Sequence, residues 1–568
     1  PALTLQWRGL QLRGALALEL SGGGAPTATA LIDGLAWAPD APFHAEGTLA
    51  LTNWRAGGAE IAAEELAISL LAPAEGESRL EVAGAARITG PLGAGEVRDM
   101  IADLDLDIFW GGGWRVAPSS GCVPVRLGGL DAAGLSFVGG AFSLCAVDNA
   151  LIAANTQGRL SGGFAIERLV LNGRMAGEAA QPARLGASRI VGRFSGVSGD
   201  TVLNLEATAP RLAIDMAEGR TLDVVLQRMT AQARITDTWR VEGAFEHGGL
   251  TDPTLPGGVS AIAGRWSAFP QDDQPVIQMS AGEALLTANR PASDAERPLF
   301  NPLRLINVNA TLRGGQVAAE GGVVLAETLQ SLASFAARHS VEEGFGGADI
   351  RAPRLMFDES LQPYQITELA RGLVENVRGE IGLEAAILWT RDAISSSGVV
   401  HLNGVSLATA TIPIVEDVRG DVLFDDFFAL TTPPGQVVNV GVLNPGVAVR
   451  DGRVQFQLLQ DGGVRIEGAE FAFASGVLSM TPTTITLGAD ETQFELRLSD
   501  VDAAALLAQL NVPDLSATGR IEGRFPLLLT RTHAYIRDGS LRAQAPGGAI
   551  SYTGEAGASA EGPARVAF

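Results

Sequence analysis

Short runs of alternating apolar and polar residues, punctuated by Gly, Asp-Gly or Asn-Gly, recur from one end of this chain to the other. Asp103-Leu104-Asp105-Leu106-Asp107-Ile108 is the clearest run. Leu203 and Leu205 alternate with Asn204 and Glu206, Val454, Phe456 and Leu458 with Gln455 and Gln457, and Phe494, Leu496 and Leu498 with Glu495 and Arg497. A period of two places every apolar side chain of a strand on one face. A chain made almost wholly of such strands has one very long apolar face. Its function depends on what that face touches.

Asp33-Gly34, Asn172-Gly173, Asn403-Gly404, Asp451-Gly452, Asp461-Gly462 and Asp538-Gly539 are read as tight hairpin turns, because these pairs supply the positive φ angles such turns need. Their even scatter predicts antiparallel, sequentially paired strands. No strict repeat period is present. No charged or Pro/Ser-rich linker divides the 568 residues, so residues 1–568 are expected to form one elongated, repeat-like unit. Helical signals are few. Asp502–Leu510, Ala/Leu-rich with an acidic start and Pro513 beyond, predicts a short helix. So does Thr367–Val377, from the spacing of Leu369, Leu373 and Val377. Leu325–His339 fits either helix or strand.

Composition narrows the function classes. Gly is 70 of 568 residues, charged residues are only 18%, and the mean hydropathy is +0.19. Such a chain is apolar enough to fold and rich in turns. No run reaches the roughly 18 apolar residues of a membrane-spanning helix. No leader is evident, and the chain opens at Pro1 already within the strand pattern, so it is read as a segment of a longer protein. A formal charge of −23 argues against nucleic acid as a partner and against adhesion along an anionic membrane surface. All 41 basic residues are Arg, which excludes a P-loop Lys or a Schiff-base Lys within the segment.

Catalytic and metal motifs are missing. His44, His247, His339, His401 and His533 are not at metal-ligand spacing, and no Gly-x-Ser-x-Gly elbow is present. The clusters Gly22–Gly24 and Gly111–Gly113 read as turns. Asp103, Asp105 and Asp107 resemble the opening of a calcium loop. The sixth and twelfth positions are Ile108 and Trp114 where Gly and Glu are required, so an outward strand face is the better reading. Asp272-Asp273 and Asp425-Asp426 read as exposed turn residues. Neither a metal nor another cofactor is expected. Cys122 and Cys145 are a possible disulfide: joined in an oxidising compartment, reduced in the cytosol.

A long apolar face has three outcomes. Two sheets bury each other, a sheet closes into a barrel, or a long sheet curls into an open trough. Sandwiches call for domain boundaries. A membrane barrel calls for aromatic girdles, yet aromatics are 6% and Tyr only 3 residues. The expected fold class is therefore mainly β: a long curled antiparallel sheet, open as a trough, with a few short helices.

Two blocks add a family resemblance. One holds Val512-Pro513-Asp514-Leu515, Gly519-Arg520-Ile521-Glu522-Gly523-Arg524-Phe525-Pro526-Leu527, Ile536-Arg537-Asp538-Gly539-Ser540-Leu541 and Gly547-Gly548-Ala549-Ile550-Ser551-Tyr552. The other holds Leu355-Met356-Phe357, Leu361-Gln362-Pro363 and Val377-Arg378-Gly379-Glu380-Ile381 running to Trp389. Residues 355–568 thus resemble the YdbH family of AsmA-like, TamB-related proteins. The resemblance implies a bridge-like lipid transfer protein of the Gram-negative periplasm. It implies an N-terminal inner-membrane helix outside this segment, a groove that carries phospholipid toward the outer membrane, and a possible outer-membrane or periplasmic protein partner. It also favours strand over helix for Leu325–His339. The expected groove lining is Leu104, Leu106, Ile108, Leu203, Leu205, Val454, Phe456, Leu458, Phe471, Phe473, Phe494, Leu496 and Leu498. At one strand per ~12 residues and ~4.8 Å per strand, the segment would reach on the order of 100–200 Å. The competing reading is a structural or adhesive β-solenoid with a closed, ligand-free core.

Overall fold

The computed structural model describes residues 2–552 apart from 9–10, 23–24, 57, 93–94, 133, 176–179, 198, 216–220, 236–238, 252–256, 273, 290–297, 342, 372–373, 391–392, 410–413, 445–447, 487–490 and 531–533. Gly23, Gly24, Asp273, Leu373 and His533 of the sequence analysis lie outside the described residues. Strands take up 79% of the described residues and helices 3%. Among the described residues thirty-seven strands form one sheet, and a small two-stranded sheet pairs Leu515–Thr518 with Ala549–Tyr552. The pairings are antiparallel, and most run to the next strand in sequence, as in Gln11–Gly22 with Ala25–Ala38 and Ala25–Ala38 with Ala41–Ala56. Among the described residues no pairing joins the first strand, Ala2–Arg8, to the last ones, so the sheet is an open trough and not a barrel. About thirty strand positions at ~4.8 Å each give a contour on the order of 140 Å.

The curl has a local cause. Asp99, Arg168, His247, Asn307, Asp417, Asp451 and Asp500 all have positive φ, between 46° and 56°, and all sit inside strands. Register shifts accompany several of them, at Phe245/Gly248, Ile306/Asn309, Arg450/Arg453 and Leu498/Val501. These are β-bulges, which insert an extra residue, bend the strand and tighten its twist. Neighbouring strands approach closely at these points. Gly128, for example, lies so close to Asp99 that a Cβ there would stand 2.8 Å from the Asp99 Cβ. The bulges form a line along the sheet, and the sheet folds on that line.

This line corrects the turn assignments. Asp33-Gly34, Asn172-Gly173, Asn403-Gly404 and Asp451-Gly452 lie within strands, not between them. Asp451 and Gly404 do take positive φ, but at bulges. Asp461-Gly462 is a true turn, between Val449–Leu458 and Gly463–Phe473. Asp538-Gly539 is a bend between Ala534–Ile536 and Ser540–Ala543, which both pair with Arg520–Thr530. The dipeptide marks a left-handed residue. It does not tell a hairpin from a bulge.

The helix Ala503–Gln509 forms as expected, with the Asp502 carboxylate accepting from the Ala505 N–H at 2.8 Å. Thr367–Val377 does not form one helix. Instead there is a single turn, Pro363–Ile366, then a 3₁₀ turn, Glu368–Ala370, and a strand from Glu375. Thr367 is extended (φ −146°, ψ 131°) and its side chain accepts from the Leu369 N–H, which stops the helix there. Val377 is buried as a strand residue and donates its N–H to the Gln362 side chain at 3.0 Å. Leu325–His339 resolves into a turn followed by the strand Ser331–Ser340.

The trough has two unlike long edges. One carries the helical segments Pro363–Ile366, Glu368–Ala370 and Ala503–Gln509, and there the inward side chains are packed: Val97, Leu303, Leu325, Leu332, Val377 and Val501 are all buried. Inward residues in a single-layer sheet reach that burial only where something faces them. Here the short flap beyond the bulge line closes on the main sheet. The largest core cluster joins Leu303, Leu361, Val405, Val438 and Val501 in this way. Nearer the other edge inward burial is mixed: Trp110 is 37% exposed, whereas Ala45, Ala154 and Ala268 are buried.

Candidate functional site

Directly paired residues of adjacent strands point to the same face. Cross-strand rows can therefore be followed along the sheet. One runs Leu3, Leu16, Ile32, Gly47, Ile68, Val82, Leu106, Pro118 over eight strands. A second runs Phe164, Gly192, Leu205, Ala231, Gly243, Trp266, Met279, Ala310, Ala319, Ala337, Ala348, Ile387 over twelve. Beside it, Phe194, Leu203, Ala233, Val241, Ala268, Ile277, Leu312, Val317, His339, Gly346, Trp389 and Ile394 form a third. Toward the C-terminus a fourth joins Val438, Val454, Ala469, Met480, Leu496 and Phe525. None of these rows contains Asp, Glu or Arg.

One residue along each strand, the chemistry reverses. The row Arg193, Asn204, Gln232, Glu242, Ser267, Gln278, Thr311, Ala318, Arg338 is polar and lies on the outer face. Ion pairs stitch this face: Arg79–Asp107 at 2.7 Å, Arg211–Asp223 at 2.7 Å, Arg234–Asp200 at 3.1 Å and Arg304–Glu283 at 2.8 Å. The hydrogen bond and charge of Arg234 hold the Asp200 carboxyl below its ordinary range. The Asp103, Asp105 and Asp107 triplet belongs here, with Asp107 buried beneath Arg79. Among the described residues no cluster of His, Cys, Asp or Glu suits a metal ion.

The inner face is smoothed by aromatic rings lying over glycines of the next strand. A Cβ on Gly243 would meet the Trp266 indole nitrogen at 2.6 Å, and one on Gly192 would meet the Phe164 ring at 2.5 Å. The rings lie across the floor because nothing stands beneath them. This gives glycines such as Gly192 and Gly243 a purpose in the groove.

Ten of the expected lining residues are half-buried on the inner face: Leu104, Leu106, Ile108, Leu203, Leu205, Val454, Phe456, Leu458, Phe494 and Leu496. Phe471, Phe473 and Leu498 are buried within the core cluster near the helix Ala503–Gln509, covered by protein. Alternation alone pointed to these positions. It missed Trp266, Met279, Trp389 and the alanine rows, whose placement depends on cross-strand register.

Four histidines have local partners or roles in the fold. His44 meets Glu46 at 3.2 Å, His401 meets Asp421 at 2.7 Å, and His247 sits on the bulge line. His339 lies in the inner face, where its Nδ1 accepts from the Trp389 Nε1–H at 3.1 Å, and burial pushes its pKa down. Asp425 accepts from the Thr431 hydroxyl at 2.7 Å. Burial pushes Asp426 up, but the Ala429 N–H, the Ser396 hydroxyl and the Phe428 N–H together hold it below its ordinary value. Both aspartates therefore organise a turn. Cys122 and Cys145 are directly opposite across paired strands and are joined by a disulfide.

No helix among the described residues is long and apolar enough to cross a membrane. No curated protein matches the chain. Residues 1–564 match the YdbH-like family, described as the intermembrane phospholipid transport protein YdbH. The match extends well beyond the 355–568 region whose motifs carried the resemblance. A chain folded as an open trough, apolar inside and charged outside, thus belongs over its whole length to the YdbH-like family of intermembrane phospholipid transport proteins.

Proposed function

We propose that the trough is the transport path, and that residues 1–568 act as one stretch of a phospholipid conduit between the inner and outer membranes. Acyl chains lie on the inner face and headgroups stay at the open side. The supporting observation is the uninterrupted, uncharged second row, which crosses twelve strands without an Asp, Glu or Arg. Exposing a lipid tail to water costs ~0.8 kcal/mol per CH₂. A continuous apolar floor removes most of that barrier and presents no charge on which a lipid would stall. The ten half-buried residues, from Leu104 to Leu496, are the lining. Phe471, Phe473 and Leu498 form the wall that holds it.

The contour, on the order of 140 Å by strand spacing, is of periplasmic scale. The setting is the periplasm, with an inner-membrane anchor supplied outside these residues and a protein partner receiving lipid at the far end. Passage along such a face requires neither a catalytic residue nor a cofactor. Native mass spectrometry with lipid extraction, on chain purified gently from a bacterial envelope, tests the reading. Several phospholipids bound per chain are expected. A well-folded chain that stays lipid-free even after incubation with liposomes would replace the conduit with a structural solenoid.

A further inference from the structure

The inner face is not symmetric from edge to edge. Six of the eight tryptophans, Trp7, Trp37, Trp110, Trp114, Trp239 and Trp389, lie at the strand ends along one edge, opposite the edge that carries the helices. All six belong to the inner face. Trp7 and Trp37 both pair with Leu12, Trp110 pairs with Trp114, Trp239 is two residues from Val241, and Trp389 is in the row of His339. Following single strands across the trough shows the contrast. Gly95–Trp110 begins with Val97 and ends with Trp110, Trp239–Thr251 runs from Trp239 to Leu250, and Glu375–Trp389 from Val377 to Trp389.

Exposure differs in the same sense between these tryptophans and the aliphatic ends of the strands Gly95–Trp110 and Glu375–Trp389. Trp7, Trp37, Trp110 and Trp114 are 64%, 40%, 37% and 40% exposed, whereas Val97 and Val377 at the other edge are 6% and 3%. On Gly95–Trp110 and Glu375–Trp389 the end toward the helices is aliphatic and shut, and the other end carries the tryptophan.

An indole has an apolar body and one N–H donor. It concentrates where hydrocarbon gives way to water, at the ester and headgroup level of a bilayer. Resting on the conduit reading, we propose that phospholipid occupies this trough in a single orientation. The glycerol–ester region lies against the tryptophan edge, the headgroup projects past it into water, and the tails run across the floor toward the bulge line. The span suits this. From Trp239 to His247 is about 26 Å and from Trp110 to Asp99 about 36 Å at ~3.3 Å per residue, against ~15 Å for the hydrocarbon of one leaflet. Each lipid keeps its headgroup on the same side along the path, so none has to turn over in transit. The polar pair at this lip, with Trp389 donating to His339, is a neutral one that suits the ester level.

Tryptophan fluorescence quenching tests the orientation. The full chain, with Trp54→Phe and Trp266→Phe so that only the six edge residues emit, is loaded with phosphatidylcholine spin-labelled on one chain, either next to the glycerol or near the methyl end. The near-glycerol label is expected to quench roughly twofold more strongly, by analogy with interfacial indoles in bilayers. The unsubstituted chain is measured in parallel, so a folding defect in the double variant does not remove the test. Equal quenching, or stronger quenching by the methyl-end label, in chain shown by extraction to hold lipid would overturn the orientation and leave the conduit standing. Chain that takes up neither lipid would overturn both.

Discussion

Leu496→Asp puts a carboxylate into the floor of the trough. Leu496 is half-buried on the inner face, directly between Met480 and Phe525, in a row whose other members are Val438, Val454 and Ala469. That row contains no cation to neutralise the new charge. The neighbouring arginines, Arg497 and Arg524, are on the outer face, paired with Glu495. A tail crossing this position would strip water from the carboxylate. The nearest measured analogue is a charge on the lipid-facing side of a membrane barrel, which costs about 2–4 kcal/mol at the bilayer midplane for Arg or Lys and less for Asp. A cost of about 1–2 kcal/mol added to the passage barrier slows transfer roughly 5- to 30-fold, since ~1.4 kcal/mol is tenfold. The fold should survive, because the side chain is only half-buried and water reaches it from the open side. The assay is transfer of a fluorescent phospholipid between donor and acceptor vesicles bridged by the full chain, with circular dichroism and thermal melting as folding controls. Gln493→Asp, an exposed outer-face change on the same strand, should transfer at the parental rate. A folded Leu496→Asp chain with undiminished transfer would refute the reasoning, because lipid would then not pass over this face.

Gly243→Val should destabilise the middle of the sheet by about 1–3 kcal/mol through overpacking, since the new side chain meets the Trp266 indole; a lower urea midpoint checks it. Reducing the Cys122–Cys145 bond, which closes a 23-residue separation, should cost about 3 kcal/mol by loop entropy and lower the melting temperature, with Cys122→Ala/Cys145→Ala behaving the same with or without reductant. His339 should make stability fall on acidification. Its folded pKa is depressed, so the unfolded chain binds the proton first; stability is full above its ordinary value near ~6.5 and is lost as pH drops through the interval down to the folded value. Melting at neutral and mildly acidic pH should show a shift that His339→Gln reduces. Asp502→Ala should remove the cap of Ala503–Gln509 and cost about 1 kcal/mol, read as a lower denaturation midpoint.

The strand alternation is legible without any structure because it has a steric origin: side chains of an extended chain leave its two sides in turn. Runs such as Leu104 to Ile108 therefore announced both the mainly β fold and an apolar face. The cap at Asp502 was readable for the same local reason, a carboxylate at a helix start. Where sequence reading went astray, the missing information was not local. Asn403-Gly404 and Asp451-Gly452 signal positive φ correctly, yet whether the chain reverses there or bends at a bulge is fixed by the strands on either side. Leu369 and Val377 have helical spacing, but Val377 is claimed by the core as a strand residue and its N–H by Gln362.

The sequence by itself determined that this chain would be a sheet with one apolar and one charged side, without membrane-spanning helical runs, and similar to an envelope lipid-transfer family. Tertiary structure alone decided that the sheet stays open, that it folds on a line of bulges, and that Phe471, Phe473 and Leu498 are walled in while Leu205 and Leu496 face the trough. It also decided that tryptophans scattered from Trp7 to Trp389 share one lip. The physical reason is register. Which residue stands opposite which, across strands tens or hundreds of positions apart, is set by the pairing of whole strands, and a period of two repeats identically whatever that pairing is.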